Sequence, residues 1–328
     1  MNENQVLLMH SEESKYMSDR IFDQLTEKNY SISRLNIIRT IEKGDKLLRF
    51  EIPSPFYLLG KTAVYISSLT NDDAFIEIER INFALSHSGV YKKLFIIPYL
   101  GYSSSYRSIR SGEIVTCKTN NQMLSSLGST DENTFFLFFD LHEPAILHYF
   151  EGSCIRAEIE GKRILTNTIT KFIDDPEKLV FGSIHLYHSK WVNSYASMFN
   201  CPIALASGKF EQQSKCFGCV KLINEIYGNV KNKHVVVFDD LILSGSSMVT
   251  AVDAYIKAGA YKVDLLASHI GIFDSDEIKA LNSSQFNKII VTNSHPITQT
   301  PLIQDSPKFV VVDISTEIVD AIISITKI

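Results

Sequence analysis

The chain has 328 residues, enough for two domains of ordinary size, because single cores stop growing near ~250–300 residues. Its 45% hydrophobic and 21% charged content is that of a globular protein, not a disordered or fibrous one. A net charge of −5 with no Lys/Arg-rich block lacks the electrostatic footprint of a nucleic-acid binder, and no apolar run reaches the ~18–20 residues of a membrane span.

The opening residues, MNENQVLLMHSEESKYM, have no basic stretch ahead of an apolar one, so no secretory leader is expected and the chain reads as cytoplasmic. Five cysteines (Cys117, Cys154, Cys201, Cys216 and Cys219) are an odd, scattered set and read as reduced thiols. The close pair Cys216 and Cys219, in KCFGCVK, would supply half a zinc site or a redox pair, but no second CxxC or HxxxH lies near it.

In chain order, β-rich runs alternate with helical patterns, the signature of an α/β architecture with mostly parallel sheets. Strands are expected at 63–67, 93–98, 134–139, 180–184, 234–238, 263–268, 288–292 and 309–312, and helices at 74–88, 118–127, 190–199, 248–258, 276–281 and 316–327. The segment 151–175 has mixed patterning and is where the domain boundary is placed. Met248, Ala251, Val252, Tyr255 and Ile256 fall at i, i+3, i+4, i+7 and i+8, one apolar stripe facing a sheet, and Gly259 is placed to end that helix. The run from His234 to His269 is thus one βαβ unit.

Within it, VVVFDDLILSGSSM places Asp239 and Asp240 at the carboxyl end of a strand, where open parallel sheets bind ligands. The following loop, Leu243 with Ser244, Gly245, Ser246 and Ser247, opens a helix whose first N–H groups and dipole favour an anion. Serine hydroxyls add donors for a phosphate, and paired carboxylates suit vicinal sugar hydroxyls. The plainer alternative is that Ser246 or Ser247 caps the helix and the acids are solvated. Neither a GxxxxGK[ST] loop nor a GxGxxG fingerprint is present.

The acid pair and small-residue loop resemble the phosphoribosyl-diphosphate loop of type I phosphoribosyltransferases and ribose-phosphate diphosphokinases, with Leu243 where those families carry aspartate. KLFIIPYLGYSSSYR, FFDLHEPAILHYFEG, GNVKNKHVVVFDD, ASHIGIF and VTNSHP, in that order, are similar to segments of the diphosphokinase, phosphoribosyl pyrophosphate (PRPP) synthetase, over nearly the whole chain.

The resemblance implies two phosphoribosyltransferase-like domains, 1–155 and 156–328, each a mostly parallel sheet flanked by helices, with the last helix packing back on the first domain. It implies transfer of diphosphate from ATP to the 1-hydroxyl of ribose 5-phosphate or a related phosphosugar with Mg²⁺, in a homo-oligomer.

Carried onto this sequence, the resemblance assigns Asp239, Asp240, Ser244, Gly245, Ser246 and Ser247 to the sugar phosphate. Tyr102, Ser104, Ser105 and Arg107 go to the nucleotide, His142 and His185 to the metal, and Lys209 to catalysis.

Several family features are altered. Ser104, Ser105 and Tyr106 replace Arg, Gln and Asp of an ARQDR-like loop, Ile184 to His188 replaces PDxGG, and SGKFEQQSK replaces a KRR-like loop. Alternatives therefore stand beside the active enzyme: a regulatory or assembly subunit, partnered with an active homologue, and a phosphoribosyltransferase. His185 and His188, three residues apart, also have the spacing of a softer metal on a turn.

Overall fold

The computed structural model describes residues 5–127, 133–210 and 220–327, and the chain divides into two units, residues 1–159 with 314–328, and residues 160–313. Cys216 and Cys219 lie outside the described residues, while Cys117, Cys154 and Cys201 are free thiols. Among the described residues no helix is long and apolar enough to cross a membrane.

The first unit contains β1 (Val6–His10), β2 (Ile32–Arg34), β3 (Ile37–Glu42), β4 (Asp45–Phe50), β5 (Thr62–Ile66), β6 (Lys92–Ile97), β7 (Thr134–Phe139) and β8 (Ile155–Ile159). Six of these form a parallel sheet in the order β2-β1-β5-β6-β7-β8, while β3 and β4 pair as an antiparallel hairpin. Side chains alternate across the sheet, so Leu7 and Met9 enter one apolar layer and Val6 and Leu8 the other.

Helices α1 (Lys15–Glu27), α2 (Asp72–His87) and α3 (Thr116–Ser126) flank this sheet, and Asn71 caps α2 by accepting from the Ala74 N–H at 3.0 Å. The chain's last helix, Ser315–Thr326, joins this unit: Ile318, Val319 and Ile322 pack with Met17, Ile21 and Leu25 of α1, and Gln24 donates to Ser315 at 2.7 Å.

The second unit contains α4 (Lys162–Ile169), β9 (Leu179–Ser183), α5 (Ser189–Phe199), β10 (Ile203–Phe210), β11 (Val220–Tyr227), β12 (His234–Ile242), α6 (Gly245–Lys257), β13 (Lys262–Ile270), α7 (Ser275–Ser283), β14 (Ile289–Thr292), α8 (Pro301–Gln304) and β15 (Phe309–Val312). Its sheet runs β11-β10-β9-β12-β13-β14-β15, parallel except for the antiparallel β10–β11 edge pair. Both faces are covered, Val235 and Val237 on one and Val236 and Phe238 on the other, which explains why β12 reads as a continuous apolar run.

The architecture is the expected α/β fold of parallel sheets flanked by helices. One detail departs from the sequence reading: β12 does not stop at Phe238 but continues through both aspartates to Ile242. Its register with β13 runs on to Ile242 opposite Ile270, so pairing on that side holds the polar residues in the strand.

Candidate functional site

The acid pair lies in β12, where all nine strand residues are buried. Asp239 is 4% exposed and Asp240 8%. Burial, together with the adjacent Asp240 charge and a hydrogen bond from protonated Asp239 to the Asp240 carboxylate, pushes Asp239 well above the usual carboxylate range. Two carboxyl groups this close and this dry do not both carry charge cheaply, so the pair is suited to a proton or a cation.

On the β9 side, strand pairing ends at Phe238 opposite Ser183. The chain then leaves β9 through a turn in which the Ser183 hydroxyl donates to the His185 carbonyl at 2.7 Å, and α5 follows. This turn puts His188 Nδ1 3.3 Å from Asp239 Oδ1. The His185 and His188 rings meet edge to face with centroids 5.4 Å apart. Burial and the neighbouring His188 lower His185 to about 3, which leaves its imidazole neutral at neutral pH.

Donor atoms of His188, Asp239 and Asp240 all lie within 4.8 Å of one another, and among the described residues this is the His/Cys/Asp/Glu cluster compact enough for a metal ion. Neither His142 nor His185 takes part in it.

Tyr255 of α6 holds the turn in place. Its hydroxyl accepts from the Ser183 N–H at 3.0 Å and donates to the Ser183 carbonyl at 2.7 Å, with the Ala204 carbonyl at 3.0 Å. Gly182 gives the ring room, since a Cβ there would stand 2.8 Å from Tyr255 Oη.

Helix α6 buries Met248, Ala251, Val252 and Tyr255 as the stripe predicted, and ends with the Gly259 N–H donating to Ile256 and the Ala260 N–H to Tyr255, Gly259 having φ +100°.

Its start differs from the plainer alternative of a Ser246 or Ser247 cap. Ser244, not Ser246 or Ser247, is the N-cap residue, and its side chain makes no capping bond to the helix. Its hydroxyl instead pairs with Ser246 Oγ at 2.8 Å, and the Gly245 N–H donates to Glu277 Oε2 at 2.8 Å. Gly245 and Ser247 are buried, whereas Ser246 and Leu243 are exposed.

In the first unit, Tyr102 adopts a left-handed backbone (φ 61°) and donates through its hydroxyl to Asp72 at 2.5 Å. Ser104 and Ser105 lie in the single 3₁₀ turn that follows, and the Ser105 hydroxyl donates to the Ile114 carbonyl at 3.3 Å. Arg107 is exposed, its guanidinium 5.3 Å from the Tyr106 ring. Tyr106 in turn meets the His142 ring edge to face at 5.6 Å, so this loop and His142 come together. Lys209 is on β10, its backbone opposite Leu222 across a bulge; its side chain lies outside what is described.

In the sequence His188 is visible only as part of a histidine spacing with His185, and Glu277 does not stand out. Nothing local marks Glu277, since an acid in the first turn of α7 reads as serving its own helix.

Comparison with known proteins bears on the same segments. Residues 6–128 match the N-terminal domain of ribose phosphate pyrophosphokinase, and residues 201–327 match the phosphoribosyl synthetase-associated domain. The chain is 27% identical over 287 residues to a ribose-phosphate pyrophosphokinase of Pyrococcus furiosus, covering 86% of this chain and 92% of that one. It is 26% identical to one of Sulfolobus acidocaldarius, covering 88% and 92%.

The crystal structure of phosphoribosylpyrophosphate synthetase from Mycobacterium smegmatis has the same fold, with a TM-score of 0.82 over 98% of this chain and 99% of that one at 19% identity. With both domain matches in order, relatives matched over nearly their full length and the fold in common, the chain belongs to the ribose-phosphate pyrophosphokinase family, as a divergent member.

Proposed function

We propose that the chain transfers diphosphate from ATP to the 1-hydroxyl of ribose 5-phosphate or a related phosphosugar. The buried Asp239–Asp240 pair, running directly into the loop 243–247 at the start of α6, carries this reading. In it the carboxylates accept from vicinal sugar hydroxyls, while the N–H groups and hydroxyls of Ser244, Gly245, Ser246 and Ser247 receive the sugar phosphate.

Tyr102, Ser104, Ser105 and Arg107 form the nucleotide side, where Arg107 supplies the charge-assisted donors. Lys209 is assigned to neutralising the moving diphosphate. Diphosphate transfer needs positioning and charge neutralisation more than covalent chemistry, which suits this division of roles.

The donor set of His188, Asp239 and Asp240 fits a divalent cation, with two hard oxygens and one imidazole. Mg²⁺ bound there would neutralise phosphate charge, and His142 and His185, which lie outside this donor set, are separate candidates for a metal. Mn²⁺, which takes carboxylate oxygens as Mg²⁺ does, would serve there as well.

The test is formation of AMP from ATP when ribose 5-phosphate and Mg²⁺ or Mn²⁺ are supplied. No AMP with any of a panel of sugar phosphates would overturn the reading. One observation favours a second reading, a regulatory or assembly subunit without turnover: the Gly245 N–H already has an internal carboxylate, Glu277, as its acceptor. In that case ribose 5-phosphate or ATP raises the melting midpoint while no AMP forms.

A further inference from the structure

We propose that Glu277 is a built-in competitor at the sugar-phosphate loop: its carboxylate takes the place at the start of α6 that a phosphate monoester would take, and so weakens this chain's hold on phosphorylated sugars. The inference rests on the reading of 243–247 as the phosphosugar cradle.

Helix α6 brings no anion of its own, for it has no acidic residue in its first turn and no side-chain cap. Glu277 supplies one from α7. Its Oε2 accepts the Gly245 N–H at 2.8 Å, and its Oε1 stands 3.4 Å from the Ser244 hydroxyl. A carboxylate accepting a backbone N–H and a serine hydroxyl at a helix start uses the donors expected to receive phosphate oxygens.

Glu277 is not needed where it originates. The start of α7 is already capped by Asp274, which accepts from the Asp276 N–H at 2.8 Å, and Asp276 provides acid in the same turn. The backbone is also shaped to the contact: a Cβ on Gly245 would stand 2.4 Å from the Glu277 carbonyl oxygen, so glycine at that position lets the first turn of α7 lie against the start of α6.

Two features make Glu277 a competitor rather than a permanent plug. It is only half-buried, so its side chain has solvent to move into. It is also tethered to the neighbouring helix, so it competes at a fixed local concentration that no dilution removes. A phosphosugar then binds only the fraction of molecules in which Glu277 has swung out, and its apparent affinity falls by that fraction.

The experiment is titration calorimetry of the full chain with ribose 5-phosphate, inorganic phosphate and unphosphorylated ribose, using the wild type, Glu277→Gln and Glu277→Ala, each checked for folding by its melting transition. Ribose 5-phosphate and inorganic phosphate are expected to bind Glu277→Ala at least about tenfold more tightly than wild type, Glu277→Gln to gain less, and ribose to be unaffected. Equal binding of ribose 5-phosphate by all three proteins would overturn the competitor while leaving the cradle standing. Binding of neither phosphate ligand by any of the three would overturn both. A gain shared equally by ribose would also overturn the inference, because the effect would not pass through phosphate.

Discussion

His188 Nδ1 stands 3.3 Å from Asp239 Oδ1, which links the turn after β9 to the acid pair buried in β12. The contact makes a mixed nitrogen and oxygen donor set from two segments that share no local sequence motif. It also exposes the tension in the site: Asp239 is dry, beside a second carboxyl group, and has the His188 imidazole near it.

Asp239→Asn is expected to stabilise the protein at neutral pH. Because the folded-state value of Asp239 is raised, its contribution to stability is full below the ordinary Asp value near ~3.9 and is lost as pH rises through the raised value. The variant should lose that decline in a series of melting curves between about pH 4 and about pH 8. Mn²⁺ or Mg²⁺ should raise the midpoint of the wild type and leave Asp239→Asn unmoved, since only a cation bound to the folded state stabilises it.

His185 and His295 set the acid limit in the opposite sense. Burial is the main cause for both, and each is lowered to about 3, helped by His188 in one case and His269 in the other. Their stability is present above the ordinary His value near ~6.5 and is lost as pH falls toward their folded-state values. His185→Phe, and His295→Asn, which keeps an acceptor for the Ile297 N–H, should each flatten the loss of melting midpoint from about pH 7 to about pH 5.

Tyr255→Phe should cost about 1–3 kcal/mol, because it leaves buried backbone groups of Ser183 without their partner. Gly182→Ala should cost a similar ~1–3 kcal/mol by driving a methyl group into the same hydroxyl. Chemical denaturation measures both. If the turn at 183–188 positions the donor set, Tyr255→Phe should also weaken Mn²⁺ binding, a readout that loss of packing elsewhere would not move.

In the first unit, Glu77 accepts from Arg39 Nη2 at 2.7 Å and from the Tyr65 hydroxyl at 2.8 Å, while Arg39 also donates to the His10 carbonyl. Burial alone would raise Glu77, but the Arg39 bonds and charge and the Tyr65 hydroxyl outweigh it and lower it. Its contribution is therefore present above the ordinary Glu value near ~4.3 and lost as pH falls through the lowered one. Glu77→Gln should cost about 3–5 kcal/mol at neutral pH, by denaturant titration, because a mostly buried guanidinium loses its counter-charge.

What the sequence disclosed follows the periodicity of burial. The unit β12–α6–β13 was legible because Val235 to Phe238 is buried on both faces and α6 carries one apolar stripe. The continuation of β12 through Asp239 and Asp240 was not, since charged residues interrupt an apolar pattern even when strand pairing continues.

The β3–β4 hairpin was missed because its residues are half-buried to exposed and show little alternation. The two units do divide within 151–175, between Ile159 and Glu160, but the mixed patterning of that segment hid β8 and α4, which lie on either side of the division. The acid pair and the serine loop were readable as residue types; their partners were not. Glu277 reaches Gly245 across two helices, and His188 reaches Asp239 only because β9 and β12 are neighbours in the sheet.

The proposed diphosphate transfer is tested most directly by measuring AMP release from ATP with ribose 5-phosphate and Mg²⁺ or Mn²⁺, for wild type and Asp240→Ala side by side. Wild type is expected to release AMP only when ribose 5-phosphate is present, and Asp240→Ala to release none. Wild type that releases no more AMP than Asp240→Ala at saturating ribose 5-phosphate would contradict the proposed transfer.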